Sequence, residues 1–174
     1  MARRFIEKSG AAAERRAQKF EKWLVKLPRW HDDFTWTPNE QVNWSVPTTP
    51  LSESRVALVS SAGIHLKSQP VFDVESPEGD WSYRVIPAGA RQEDFMISDT
   101  HYDHSDADHD INCILGIHRL HELAAEGFIG DVAPRHFGFM GFIPDPAQLI
   151  STTAPEAADM LVEDEVDLVL LTPG

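Results

Sequence analysis

Two short apolar segments most constrain how this chain can fold. Residues 55–60 read Arg-Val-Ala-Leu-Val-Ser, and residues 167–171 read Asp-Leu-Val-Leu-Leu. Such short, almost continuous apolar runs are typical of strands buried on both faces of a parallel sheet. Helical patterns at 111–126 and 153–164 alternate with further strand candidates at 83–86 and 95–97. We therefore predict an α/β fold, with a parallel sheet covered by helices on both faces, as an incomplete doubly wound domain.

The chain divides into two regions by composition. Residues 1–54 begin with a basic amphipathic pattern, which predicts an N-terminal helix over 11–27, and continue as an arm rich in proline and tryptophan. Residues 55–174 form the predicted α/β reductase-like domain. Residues 1–30 contain nine Lys and Arg against three Glu, so they carry a net charge of +6, and the rest of the chain carries −19.

The overall charge and hydropathy exclude some classes of partner. A net charge of −13 repels the phosphate backbone, so we expect no nucleic-acid partner. No apolar run approaches the roughly 20 residues that a membrane helix needs, and no signal-peptide core is present. We expect a cytoplasmic protein without a membrane partner.

The segment from Ser98 to Asp110 contains the densest set of chemically active side chains. It contains three histidines and five aspartates between a strand candidate and a helix candidate. Imidazoles and carboxylates exchange protons near neutral pH and bind ammonium groups. The alternative is structural, because aspartates here could cap the next helix. The candidate catalytic residues are His101, Asp103, His104, Asp106 and Asp108.

Part of this segment also permits a metal site. His104-Ser-Asp-Ala-Asp-His109 is close to the His-x-His-x-Asp-His signature of metallo-β-lactamase-type hydrolases, although Asp106 stands where that signature has its second histidine. In this alternative, His104, Asp108 and His109 would bind a divalent metal.

Two other loops and the single cysteine complete the candidates. His65 and Lys67 follow the first strand, and Arg135 and His136 form a second loop pair, so these four could bind a substrate carboxylate. Cys113 has apolar neighbours, from which we expect a buried, inert thiol. One cysteine cannot form an internal disulfide or a dithiol pair.

Five segments, in order between residues 55 and 174, form the most specific pattern in the chain. They lie at 56–73, 79–87, 103–112, 133–141 and 167–173, and include Val-Ser-Ser-Ala-Gly-Ile-His at 59–65 and Asp-His-Ser-Asp-Ala-Asp-His-Asp at 103–110. Together they resemble the selenoprotein B component of the glycine, sarcosine, betaine and D-proline reductases.

This resemblance implies an oxidoreductase in which a selenolate or thiolate attacks the α-carbon of an amino acid and expels the amine. It implies selenocysteine in the chain, a pyruvoyl group on a partner subunit, and other reductase subunits as partners. The substrate would be a small amine or amino acid.

In that family the redox residue follows the strand and Thr-Pro found at 168–173. We therefore expect a domain truncated at its C-terminus, or a short natural form without the redox residue, and no reductase activity from this chain alone. The two other classes left open are the metal-dependent hydrolase and a non-catalytic binding or assembly subunit that docks through its basic arm.

Overall fold

A computed structural model describes residues 45–99 and 102–173 of the chain. The predicted N-terminal helix, most of the arm and His101 lie outside these described residues. The strands are β1 (Arg55–Ser60), β2 (Ile64–Leu66), β3 (Tyr83–Pro87), β4 (Phe95–Ile97), β5 (Asp131–Val132), β6 (Arg135–Phe139) and β7 (Leu168–Thr172). The α-helices are α1 (Ser105–His109), α2 (Ile117–Ala125) and α3 (Ala154–Glu163). Short 3-10 turns occur at Leu51–Glu53, Gln92–Asp94 and Ile111–Cys113, and a π-helical turn at Leu149–Thr153 leads into α3.

The main sheet has five strands with β1 at its centre. β7 pairs with one edge of β1, and β5 and β6 pair with the other, all three in parallel. β3 adds to the outer edge of β6 in the antiparallel direction, while β2 and β4 form a separate antiparallel pair. The predicted α/β class is confirmed. The sheet is mixed rather than wholly parallel, because its outer strand β3 runs in the opposite direction, as edge strands of such sheets often do.

Alternate residues of β1 enter two different cores. Val56 and Leu58 pack in a cluster that includes Ile117 and Leu120 of α2. Val59 packs on the opposite side, in a cluster that includes Ala157 of α3. Side chains of a strand alternate between its faces, so these clusters lie on the two sides of the sheet. Helices therefore cover both faces, as predicted, whereas the doubly wound arrangement stays a prediction.

The predicted helix at 111–126 is divided in the structure. Asp110 accepts a hydrogen bond from the Asn112 amide at 3.0 Å and caps the 3-10 turn Ile111–Cys113, and α2 begins only at Ile117. Thr153-Ala-Pro-Glu156, at the start of α3, has the sequence pattern of a capping box, but Thr153 makes no capping hydrogen bond. The hydroxyl of Thr153 instead donates to the carbonyl of Trp81 at 2.8 Å.

Between β5 and β6 the backbone pairing with β1 is interrupted, and the imidazole of His136 takes the place of the missing backbone group. Val56 pairs with Val132 and Val59 pairs with Phe137, so three steps along β1 correspond to five along β5 and β6. Pro134 lies in the resulting bulge and has no amide hydrogen to donate. The Leu58 amide, inside the sheet, donates to Nδ1 of the fully buried His136 at 3.0 Å. The ring thus replaces a missing backbone acceptor.

No helix among the described residues has the length and apolar character needed to cross a membrane.

Acid titration tests the contact of His136 with β1. Burial lowers the pKa of His136 from its ordinary 6.5 to about 4. The unfolded chain therefore binds more protons between these values, and the folded state loses stability as pH falls through this window. We expect a loss of up to about 3 kcal/mol in the free energy of unfolding, measured with urea at pH 7 and near pH 4. His136→Asn keeps an acceptor but does not titrate. An equal loss in that variant would contradict the assignment.

Both longer helices end in the same hydrogen-bonded turn, which provides a second test. Gly127 follows α2 with a φ of 72°, and Glu165 follows α3 with a φ of 55°. In each turn this left-handed residue donates to the carbonyl three residues back, and the next residue donates to the carbonyl five residues back. A side chain at such a φ costs about 1 kcal/mol, which glycine avoids.

We expect Glu165→Gly to raise the free energy of unfolding by about 1 kcal/mol in urea titrations. Glu165 also forms an ion pair with Arg55 at 3.5 Å, but its side chain is 86% exposed. Exposed ion pairs contribute little, so the loss of this one offsets little of the gain. Gly127→Ala is the matched control and should lower stability, since it places a side chain in the corresponding left-handed position. A loss of stability in Glu165→Gly would contradict this account.

Candidate functional site

The carboxyl ends of the parallel strands β1, β6 and β7 meet at one edge of the sheet. The loop after β1 connects them, because the Ser61 amide donates to the Thr172 carbonyl at 3.0 Å and the Gly63 amide donates to the Phe139 carbonyl at 2.8 Å. Ligands of open α/β sheets bind at this edge. We refer to it as the carboxyl edge.

Two glycines let the chain pack closely at the carboxyl edge. Gly63 has a φ of 65°, and a Cβ there would lie 2.8 Å from the carbonyl oxygen of Ser98. A Cβ on Gly141, just beyond β6, would lie 2.9 Å from the carbonyl oxygen of Ser61. These approaches bring the end of β4 against the ends of β1 and β6.

A buried carboxylate lies where these segments meet. Asp99, two residues after β4, is only 4% exposed, and its Oδ2 is 3.6 Å from the position of a Cβ on Gly141. Nearby, the Tyr102 hydroxyl donates to the Ala62 carbonyl at 2.9 Å. Burial, followed by the charges of Asp99 and Asp108, raises the pKa of Tyr102, so the phenol stays neutral. The negative potential at this edge favours a cationic ligand group.

The aspartate and histidine segment continues from this point along α1. The Nδ1–H of His104 donates to Asp108 at 2.9 Å, and the His104 ring packs edge-on to Tyr102 with centroids 5.7 Å apart. Asp103 accepts a hydrogen bond from the Ser105 hydroxyl at 2.9 Å. The bond to Asp108 occupies Nδ1, so Nε2 is the ring nitrogen of His104 that remains for other contacts.

The predicted metal ligands are not assembled. His104 pairs with Asp108, whereas the Nδ1–H of His109 donates to the Ser105 carbonyl at 2.8 Å. Within residues 45–99 and 102–173, no group of three or more His, Cys, Asp or Glu side chains is placed to hold a metal ion.

His65 and Lys67 contact opposite ends of β4. His65 is fully buried; its Nδ1–H donates to the Leu66 carbonyl at 2.8 Å, and its Nε2 therefore accepts from the Ser98 hydroxyl at 2.7 Å. Lys67 donates to the Glu93 carbonyl at 2.7 Å, at the start of β4. Only the Ser98 end of β4 lies at the carboxyl edge, so the structure separates the two side chains.

Arg135 and His136 lie at the other end of β6. Arg135 begins that strand and forms ion pairs with Asp164 at 2.7 Å and Glu163 at 3.1 Å. These acidic partners raise the pKa of Arg135. His136 is enclosed beside β1, and its Nε2 has no hydrogen-bond partner among the described residues. A role of these two residues, or of His65 and Lys67, in substrate binding stays a prediction.

Cys113 is exposed, so the prediction of a buried thiol was wrong. The 3-10 turn directs Ile111 and Ile114 into the core and leaves Cys113 at the surface, with its Sγ 4.0 Å from the Asp106 carbonyl. The Thr172 hydroxyl donates to the Ile114 carbonyl at 2.7 Å. The thiol is therefore adjacent to the acidic segment, and the next residue, Ile114, contacts the end of β7.

Comparison with known proteins agrees with the resemblance seen in the sequence. The family model for glycine/sarcosine/betaine reductase selenoprotein B matches residues 2–174. The chain belongs to this family. It is 44% identical over 131 residues to D-proline reductase subunit gamma of Acetoanaerobium sticklandii, a match that covers 75% of this chain and 53% of that relative. The chain thus spans about half the length of this curated relative. No solved structure is significantly similar to it.

Two residues of this selenoprotein B family member were missed as site candidates. Asp99 precedes the predicted set and Tyr102 lies within it, between His101 and Asp103, and both take part in the carboxyl edge. Their position directly after the strand candidate at 95–97 was the available signal, since ligand-binding side chains commonly follow strand ends.

Thiol labelling tests the exposure of Cys113 in this selenoprotein B chain. We expect the native protein to react with one equivalent of an aromatic disulfide reagent at a rate close to that of the urea-unfolded chain, because the side chain is exposed. Absorbance of the released thiol measures the reaction, and Cys113→Ser provides the blank. Reaction only after unfolding would contradict the observed placement.

Proposed function

We propose that this chain is a component of a reductase that cleaves a C–N bond of an amino acid or related amine. The observation that carries the proposal is the 44% identity over 131 residues to D-proline reductase subunit gamma. Within the glycine, sarcosine, betaine and D-proline class, that relative makes D-proline the first substrate to test. Other reductase subunits would be its partners, one of them supplying the pyruvoyl group.

The reaction has a simple balance for D-proline. Cleavage of the bond between Cα and the ring nitrogen opens the ring and gives 5-aminopentanoate, with the uptake of two electrons and two protons. A dithiol can supply both electrons and become a disulfide. The protein must therefore hold an ammonium group, deliver protons and expose a chalcogen.

The carboxyl edge offers groups for the first two tasks. Asp103 and Asp106 would attract the ammonium group, and His104, oriented by Asp108, would exchange a proton through Nε2. His101, in the same segment, belongs to the proposed set. These roles rest on residue chemistry and on the position of the segment at the strand ends.

The described groups also suit selenium better than sulfur. Residues 102–113 contain no Lys or Arg, so this segment has no permanently charged cation to stabilise a thiolate. Selenocysteine supplies a nucleophile that is ionised at neutral pH without such help. His104, the residue before α1, would serve as a proton donor for a selenolate at this edge.

Calorimetric titration of the purified chain with D-proline tests the substrate. We expect binding that is weakened about tenfold in Asp103→Asn, which removes the charge of one carboxylate proposed to bind the ammonium group. His109→Ala is the control in the same segment, because its Nδ1 is already bonded to the Ser105 carbonyl. D-proline, glycine, sarcosine and betaine all failing to bind would count against the proposed substrate class.

Assembly and turnover form the second part of this test. A tagged chain should co-purify with the subunits of the A. sticklandii D-proline reductase other than gamma, identified by mass spectrometry. The chain alone, with dithiothreitol and D-proline, should form no 5-aminopentanoate. Turnover by the isolated chain would refute its role as a component.

A further inference from the structure

β7 exposes apolar side chains on both faces of the sheet. Leu171 pairs with Val59 and shares the face covered by α3, whereas Leu170 pairs with Leu58 and shares the face covered by α2. Val169 lies on the same face as Leu171. These three side chains and Val162 of α3 are between 41% and 76% exposed. We call these four residues the β7 surface.

This exposure is unusual for the residue types involved. The sequence Leu-Val-Leu-Leu of β7 is typical of an interior parallel strand, whose two faces are both covered. Edge strands are normally protected by charged residues, proline or bulges, and β7 has none within Leu168–Thr172. No strand among the described residues pairs with its outer edge. An apolar surface of this kind marks an interaction site.

The shape of the surface restricts what can cover it. A single added strand would satisfy the free backbone edge but would leave Leu170 and Leu171 uncovered on opposite faces. A second copy pairing β7 with β7 would add the same kind of bare strand. Two chains that each carry a net charge of −13 would also repel one another. A parallel strand with a helix on each face covers the edge and both faces.

We propose that the β7 surface binds a further α/β unit, the counterpart of the part of D-proline reductase subunit gamma that this chain does not match. Since 131 residues are 53% of that relative, about 116 of its residues lie outside the match. That length is enough for about three strand-and-helix units of roughly 30 residues. The inference concerns an interface and does not depend on the substrate.

Co-expression tests this occupant. The full 174-residue chain is produced with a tagged fragment that consists of the unmatched part of the A. sticklandii subunit. We expect one-to-one capture on the tag, and amide hydrogen exchange at Val169–Leu171 slowed at least about tenfold by strand pairing.

Single lysine substitutions provide the matched comparison. Leu170→Lys and Leu171→Lys should abolish capture, because each places a charge in the apolar contact. Met96→Lys, at a 45% exposed apolar position on β4, should be captured like the wild type. All three altered side chains are exposed, so each variant should unfold thermally at the wild-type midpoint, which excludes misfolding as the cause of lost capture.

Three results would overturn the proposal. The first is failure of the tagged fragment to capture the wild-type chain, and an insoluble fragment counts as such a failure. The second is capture of the two β7 variants equal to that of the wild type. The third is a dimer of the chain alone that Leu171→Lys dissociates, which would make a second copy the occupant. The D-proline titration is independent of all three, so failure of this interface and failure of the proposed function remain distinguishable.

Discussion

The hydrogen bonding of β1 is the constraint on which the rest of the structure depends. Its amides and carbonyls lie inside the sheet, where an unpaired group is costly, so partners are required along both edges. β7 meets this requirement on one edge, and β5 and β6 do so on the other. Where the bulge removes a backbone acceptor, His136 replaces it. Side chains of β1 also pack in both hydrophobic cores, and the strand leads into the loop at the carboxyl edge.

Close backbone packing converts this arrangement into a site. Gly63 and Gly141 allow the chain to approach to distances that a side chain would prevent, and Asp99 is enclosed as a result. The segment that follows adds further carboxylates but no Lys or Arg. Such an edge suits an ammonium group, while an anionic nucleophile must be acidic enough to ionise without a cation beside it. These two demands are the physical basis of the proposed selenium-dependent reduction of an amine.

Segments with a strong hydrophobic pattern were predictable from the sequence. Segments in which a local side-chain hydrogen bond competes with the regular helix were not. The apolar runs of β1 and β7 and the amphipathic pattern of α3 gave the element types correctly. The pattern at 111–126 could not reveal its division, because Asp110 stabilises a 3-10 turn in place of a continuous helix. The exposure of Cys113 follows from that division. The antiparallel direction of β3 depends on pairing with β6, which leaves no periodic signal in the sequence.

The sequence by itself determined the α/β class, the position of the acidic segment after a strand and the family, because these depend on local composition and on collinear motifs. Only the tertiary structure decided that His65 and His136 are enclosed, that Arg135 is paired with Asp164, and that Asp99 lies at the carboxyl edge. Burial and pairing arise from contacts between distant segments. A residue's type states which contacts it can make, and the fold selects the ones it does make.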